Sequence, residues 1–262
     1  FADGFFMADA DLAKIAQLGG YAWVHARDDV DLAQKIGGSL AVRVIVSEYI
    51  RVNSLVFEKA PGLKGIIAYG AGYDHIDVRE AARRGIQVCN CRGENAQAVA
   101  ELTFGLLLGL VRKIHCADSY IRAGRWKRAE SSSLPLWCTG RELWKKTLGI
   151  IGLGQIGSRV ARIAQGFEMR GLAYDPWRDA DNLPGVQRMP LESLLSESDI
   201  VTLHVPLTPQ TEKMIDATNF SRMKRGVLLV NTSRGRVIEE RALIDALKTG
   251  RIAGAALDVF EE

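Results

Sequence analysis

No stretch of this sequence is apolar for long enough to cross a bilayer. Its longest apolar run, residues 104–111, is broken by two glycines and falls far short of the ~20 residues that a transmembrane helix needs. No basic segment followed by an apolar one opens the chain, so it reads as a cytoplasmic protein with no membrane partner. Neither sign of charge dominates. The 34 Lys and Arg against 31 Asp and Glu leave a net +3, and without a dense basic block nucleic acid is not an expected partner. Cysteine is sparse: Cys89, Cys91, Cys116 and Cys138 cannot make a disulfide framework in a chain this long. Cys89-x-Cys91 has strand spacing rather than that of a zinc or redox site, and no other metal-ligand spacing appears. A Gly-x-Ser-x-Gly nucleophile elbow is missing too. What remains is an ordinary globular composition, 47% hydrophobic and 25% charged over 262 residues, enough for one large or two modest domains.

One motif carries specific chemistry. After the apolar run at residues 148–151, Gly152, Gly154 and Gly157 form G-x-G-x-x-G, and Asp175 follows the last of them by 18 residues. Val160, Ile163 and Ala164 between them have helical spacing. A strand, a tight turn, a helix and a second strand ending in a carboxylate fit that layout. Gly152 permits the turn, Gly154 lets backbone approach a pyrophosphate, and Gly157 lets the helix pack on the strand. The free N–H groups of the helix N-terminus then face the phosphates. Asp175 is placed to accept from the adenosine ribose hydroxyls and to repel a 2′-phosphate, favouring NAD over NADP, with Arg178 close enough to temper the discrimination.

The rest of the chain alternates strand-like and helix-like segments, which implies parallel sheets flanked by helices. In the first part the expected strands are residues 42–46, 64–69 and 86–91, with helices through Leu55, Val56 and Ala60 and over residues 78–84. Phe1-Ala2-Asp3 reads as the tail of a first strand, and the chain as a trimmed one. Asn95 is a good N-cap for a long helix over residues 96–113, apolar on more than one face, which suits a hinge between domains. Residues 117–145 read as an irregular arm with the turn Ser131-Ser132-Ser133. Its Trp126, Trp137 and Trp144, exposed, suit a subunit interface. Further strands are expected at residues 148–151, 172–174, 199–205, 227–231 and 254–259, with polar signals at their ends. The fold class is therefore α/β: two doubly wound parallel-sheet domains, residues 1–94 for substrate and residues 95–262 as a Rossmann NAD-binding domain.

Those strand ends, His204-Val205-Pro206, Asn231-Thr-Ser-Arg234-Gly235 and Asp258 among them, carry a family resemblance over essentially the whole chain. With residues 148–157, Asp175, residues 198–211 and residues 223–235, the sequence resembles the D-isomer-specific 2-hydroxyacid dehydrogenases, closest in flavour to D-3-phosphoglycerate dehydrogenases. The resemblance implies hydride transfer between NAD and a D-2-hydroxy acid or 2-oxo acid, in a homodimer formed through the second domain. It also implies roles. Gln155 and Ile156 hold the pyrophosphate and Asp175 the ribose; Val205, Pro206 and Thr211, with His204 in the same motif, line the adenine-ribose side; Thr232 and Arg234 reach the nicotinamide, and Asp258 binds the carboxamide. Arg234 is also the catalytic cation, its planar fork holding the substrate. The Gly70-Ala71-Gly72 turn offers N–H groups to the substrate carboxylate, with Asn95 nearby.

Several positions depart from the family pattern. Its acid/base histidine and orienting glutamate match no residue here: by spacing the glutamate falls just after Glu262, and His25, His75, His115 and His204 lie elsewhere. A polypeptide of these residues alone is accordingly expected to bind NAD and turn over poorly. Gly171 stands where a β-branched residue is usual, and Glu168 where glycine is common. A basic residue that often marks phosphoglycerate specificity is replaced by Ser47, beside Glu48, which argues against recognition of a phosphorylated substrate. Within the class the runner-up to a phosphoglycerate dehydrogenase-like enzyme is a glyoxylate or hydroxypyruvate reductase. A rival of another class is an NAD-sensing, corepressor-like binding module. It requires an apolar groove on the first domain, which residues 42–60 do not advertise.

Overall fold

A computed structural model describes residues 1–2, 7–126, 135–177 and 183–261. Ser131–Ser133, Arg178 and Glu262 fall outside these. The chain divides into two compact units, Phe1–Asn95 and Ala96–Glu262.

The first unit holds helices α1 (Asp9–Leu18) and α2 (Asp29–Ile36), then β1 (Val44–Ser47), α3 (Ser54–Lys59), β2 (Gly65–Ala68), α4 (Val78–Arg83) and β3 (Gln87–Asn90). The strands form one parallel sheet in the order β1-β2-β3. Short acceptor side chains start the helices. Asp28, Asn53 and Asp77 each accept from a first-turn amide, of Asp31, Leu55 and Glu80 respectively. Leu32, Ile45, Val56, Phe57 and Ile66 lie in the core. Ala2 runs beside β1, its amide donating to the Val46 carbonyl at 2.9 Å. None of α1's residues is buried. Val44 and Ile67 are exposed, and a groove of about 770 Å³ opens among Phe1, Ile15, Leu18, Tyr21, Val44 and Ile67. This corrects the expectation of no apolar groove around residues 42–60. Its walls come from five separate segments, residues 1–2, 15–24, 32–36, 41–46 and 67, so no single stretch of sequence announces it.

The second unit begins with α5 (Ala96–Val111) and α6 (Ile114–Arg122). The long helix expected to residue 113 stops two residues early, where Lys113 turns left-handed at φ +58°. Nor is it buried all round: one face, Ala96, Ala100, Thr103, Phe104, Leu107 and Val111, is buried, and Leu102 is 41% exposed. The supposed irregular arm is helical in its first part, α6. Trp126, Trp137 and Trp144 are each about half exposed, Trp137 edge-on to Tyr120 and Trp144 donating to Glu168 at 3.0 Å.

Next follow β4 (Thr147–Ile151), α7 (Gln155–Gly166), β5 (Arg170–Tyr174), β6 (Val186–Arg188), α8 (Leu191–Glu197) and β7 (Ile200–Leu203). The unit closes with α9 (Ala217–Arg222), β8 (Val227–Asn231), α10 (Glu240–Lys248) and β9 (Ile252–Leu257). All six strands are parallel, in the order β6-β5-β4-β7-β8-β9. The order reverses between β4 and β7, as in the doubly wound Rossmann sheet. Buried on both faces, β4, β7 and β8 read as continuous apolar runs. Gly171 suits its place after all. A Cβ there would lie 3.1 Å from Val186 Cγ2 and 3.2 Å from the Gly185 carbonyl oxygen, so a side chain at this position would require β6 to give by a few tenths of an ångström. Glu168 holds the left-handed conformation, φ +53°, which a glycine adopts at less cost.

Candidate functional site

The sequence-predicted residues of the second unit gather at the carboxyl ends of its strands. The three glycines of the turn after β4 serve three different ends. Gly152 has φ +96°, and a Cβ on it would stand 2.5 Å from the His204 carbonyl oxygen. A Cβ on Gly157 would overlap the Gly152 carbonyl oxygen, so α7 can lie against the turn only with glycine there. Gly154 differs: a Cβ on it would meet nothing within 4 Å among the described residues. It precedes α7 with extended backbone and no side-chain cap. The first-turn amides of Gln155, Ile156 and Gly157 have no helix carbonyl ahead of them to bond. Open space and unsatisfied N–H groups at one helix start are what a phosphate ligand requires.

Asp175, buried at the end of β5, is committed to backbone. One carboxylate oxygen accepts from the Leu153 amide inside the glycine turn (2.8 Å) and the other from the Trp177 amide (2.9 Å). Arg188 donates to the Asp175 carbonyl at 2.6 Å. Asp175 thus holds the glycine turn as well as standing at its mouth.

His204 follows β7 across the switch point. Its Nε2 pairs with the Thr202 hydroxyl at 2.9 Å, while Nδ1 is buried with no partner among the described residues. Burial pushes its pKa down to about 3, so the ring is neutral near pH 7 and donates no proton as an acid. Val205 is half-buried and Pro206 exposed. Thr211 is occupied in closing this loop: its hydroxyl donates to the Pro206 carbonyl (2.5 Å) and accepts from the Thr208 amide (2.8 Å).

The Arg234 segment is pinned from several sides. Buried Asn231, which sequence reasoning had not singled out for a role, accepts from the Ser233 amide and hydroxyl (3.0 and 2.7 Å) and donates to the Arg234 carbonyl (2.9 Å). Arg234 is half-buried, its Nη1 donating to the Ser233 carbonyl at 2.8 Å. A Cβ on Gly235 would overlap the backbone of Phe260, so the stretch after β9 packs directly on this segment. Asp258 is exposed, and its amide donates to the Asn231 carbonyl at 3.0 Å. Thr232 is buried and meets the hydroxyl of Thr103 on α5 at 3.0 Å. The one signal for Thr103 was a hydroxyl amid an apolar helix.

In the first unit, the Gly70-Ala71-Gly72 turn follows β2. Its carbonyls face β3: Gly70 accepts from the Cys91 amide (2.9 Å) and Ala71 from the Asn90 side chain (2.7 Å). The Ala71 and Gly72 amides donate to nothing among the described residues. Asn95 is exposed immediately before α5. Ser47 is fully buried and donates to the Ile50 carbonyl at 2.8 Å. No cluster of metal-ligating side chains occurs among the described residues, and no helix among them is long and apolar enough to cross a membrane.

Residues 104–262 match the family model described as the D-isomer specific 2-hydroxyacid dehydrogenase, NAD binding domain. The chain belongs to that family. A glyoxylate reductase from Pyrococcus furiosus is 46% identical over 233 residues, 88% of this chain and 69% of that one. Another from Korarchaeum cryptofilum is 49% identical over 213 residues, 80% of this chain; the alignment spans 63% of that relative's length. Among solved structures, an acyclic imino acid reductase in complex with NADPH and D-Arg superposes with a TM-score of 0.87 at 31% identity, covering all of this chain and 82% of that one. A D-lactate dehydrogenase from Aquifex aeolicus, complexed with NAD and lactic acid, gives 0.85 at 32% identity, covering 98% and 76%. The second unit is thus the family's NAD-binding Rossmann domain. Of the two enzyme readings weighed on the sequence, these relatives carry the glyoxylate reductase name rather than phosphoglycerate dehydrogenase.

Proposed function

We propose that this protein is an NAD-dependent reductase of a small, unphosphorylated 2-oxo acid, glyoxylate first, forming the 2-hydroxy acid reversibly. The observation that carries this reading is the placing of the open Gly154 turn, Asp175 and the pinned Arg234 segment along one carboxyl edge of one sheet. The amides around Gly154–Gly157 hold the pyrophosphate, Asp175 the ribose, and His204, Val205, Pro206 and Thr211 flank the adenine side. Thr232, Arg234 and Asp258 meet the nicotinamide end. The Ala71 and Gly72 amides, with Asn95, receive the substrate carboxylate. NADH held there would supply the hydride for C2 of the 2-oxo acid. The Arg234 guanidinium polarises the C2 carbonyl and orients the acid by its two-point fork. The proton for the new hydroxyl comes from the family's histidine, a role that buried, neutral His204 does not fill.

Ser47 supports an unphosphorylated substrate, since a buried hydroxyl spent on the Ile50 carbonyl offers a phosphate nothing. The test is a spectrophotometric comparison of glyoxylate, hydroxypyruvate, pyruvate and 3-phosphohydroxypyruvate with NADH, in a form carrying the acid/base histidine. Preference for the phosphorylated acid refutes the proposal. A homodimer through the second unit is part of the same reading, supported by half-exposed Trp126, Trp137 and Trp144 and by Leu136, 91% exposed. Light scattering at micromolar concentration checks it, and a monomer there refutes it.

A further inference from the structure

Thr103 lies fully buried on α5, far in sequence from the Arg234 segment it touches. Its hydroxyl has one proton, and the Val99 carbonyl 2.8 Å away can only accept. That proton therefore goes to Val99, and in the 3.0 Å contact between hydroxyls Thr232 is the donor. The polarity runs Thr232 to Thr103 to Val99. Thr232's own oxygen is left with lone pairs only, so any further partner of it must be a donor.

Thr232 stands between buried Asn231 and Arg234. Asn231 fixes the far side of this segment through Ser233 and the Arg234 carbonyl, and the backbone of Phe260 abuts Gly235. The Thr103 bond is a side-chain tie from α5 to this segment. Replacing Thr103 by an apolar residue would strand a buried hydroxyl on Thr232, which must turn to find another acceptor.

We infer that Thr103 is a positioning residue for the Arg234 segment, acting through the Thr232 hydroxyl to set where the guanidinium meets its substrate. This rests on the reading of Arg234 as the substrate cation. Thr103 touches neither substrate nor cofactor in this account, and its effect passes entirely through Thr232.

The test pairs an isosteric variant with a conservative one. Thr103→Val removes the hydroxyl and keeps the shape. It should lower kcat for glyoxylate about tenfold and raise its KM severalfold, with the NADH dissociation constant within about twofold of wild type. Thr103→Ser, which keeps the hydroxyl, should restore kcat to within about twofold. In a Thr232→Val background the further change Thr103→Val should lower kcat no more, because its effect passes through the Thr232 hydroxyl. Amide exchange supplies a readout independent of turnover: residues 231–237 should exchange about tenfold faster in Thr103→Val, with α7 unchanged. If Thr103→Val does not fold, Thr103→Cys, close in volume and a weak donor, carries the same comparison.

Unchanged exchange at residues 231–237 overturns the inference. So does a loss shared equally by kcat and NADH affinity, or by Thr103→Ser. Faster exchange in a protein that reduces no 2-oxo acid supports the tie from Thr103 while refuting the proposed reaction.

Discussion

The three glycines of the turn should separate fold from function when each is replaced by alanine. At Gly152 the backbone has φ +96°, and the new Cβ stands 2.5 Å from the His204 carbonyl oxygen. Neither atom is the end of a flexible side chain, so the backbone itself has to move. An unfavourable dihedral alone costs about 1–3 kcal/mol, and the clash adds to it. A loss of at least ~2 kcal/mol corresponds to a fall in Tm of roughly 4–8 °C for a unit of this size. Gly157→Ala meets the Gly152 carbonyl oxygen and should behave alike. Gly154→Ala should not. Its φ of −63° is open to alanine, and the added methyl meets nothing within 4 Å among the described residues. Lost unfolded-state entropy favours alanine by about 0.4–1 kcal/mol, while alanine's poorer N-capping offsets a similar amount. Stability should stay within about 1 kcal/mol of wild type, yet the methyl occupies the space through which a pyrophosphate approaches. The NADH dissociation constant should rise tenfold or more. Thermal melts and the fluorescence of bound NADH measure both quantities. Gly154→Ala binding NADH within twofold of wild type would refute this account of the open space. Gly152→Ala melting with wild type would refute the steric one.

Three further outcomes are expected. Because burial pushes His204 down to about 3 from its ordinary 6.5, the unfolded chain binds a proton between those pH values that the folded chain refuses. Its contribution is complete above pH 6.5 and declines as pH falls, by ~2 kcal/mol at pH 5. Urea unfolding at pH 7 and pH 5 should show this slope in wild type and lose it in His204→Asn; identical slopes refute the assignment. NADH should bind more tightly than NADPH, because the Asp175 carboxylate repels a 2′-phosphate, and Asp175→Ser should narrow the gap; equal binding by wild type counts against the role. Arg234→Lys should depress turnover at least tenfold, with NADH affinity nearly unchanged; wild-type turnover in that variant would make Arg234 structural.

Much of the second unit was legible because its chemistry is local. A parallel strand buried on both faces must be an apolar run, so β4, β7 and β8 announce themselves, and β8 is found at its expected limits, Val227–Asn231. Gly157 is required by a backbone approach within a short span, to the Gly152 carbonyl oxygen, whereas Gly152 meets the distant His204 carbonyl and Gly154 meets nothing among the described residues. Short β6 went unread, since Val186–Arg188 has neither length nor alternation to mark it. Gly171 could be explained only once β6 lay beside it.

The sequence by itself determined the parallel α/β class, the cofactor motif and the residues at the strand ends, because periodicity and turn chemistry are properties of neighbouring residues. Tertiary structure alone decided what those residues are spent on. Asp175 holds the Leu153 amide, Thr211 closes its own loop, and Asn231 anchors the Arg234 segment. Thr103 ties to Thr232 across 129 positions. A hydrogen bond depends on which groups a fold brings within about 3 Å, and separation along the chain carries no trace of that distance.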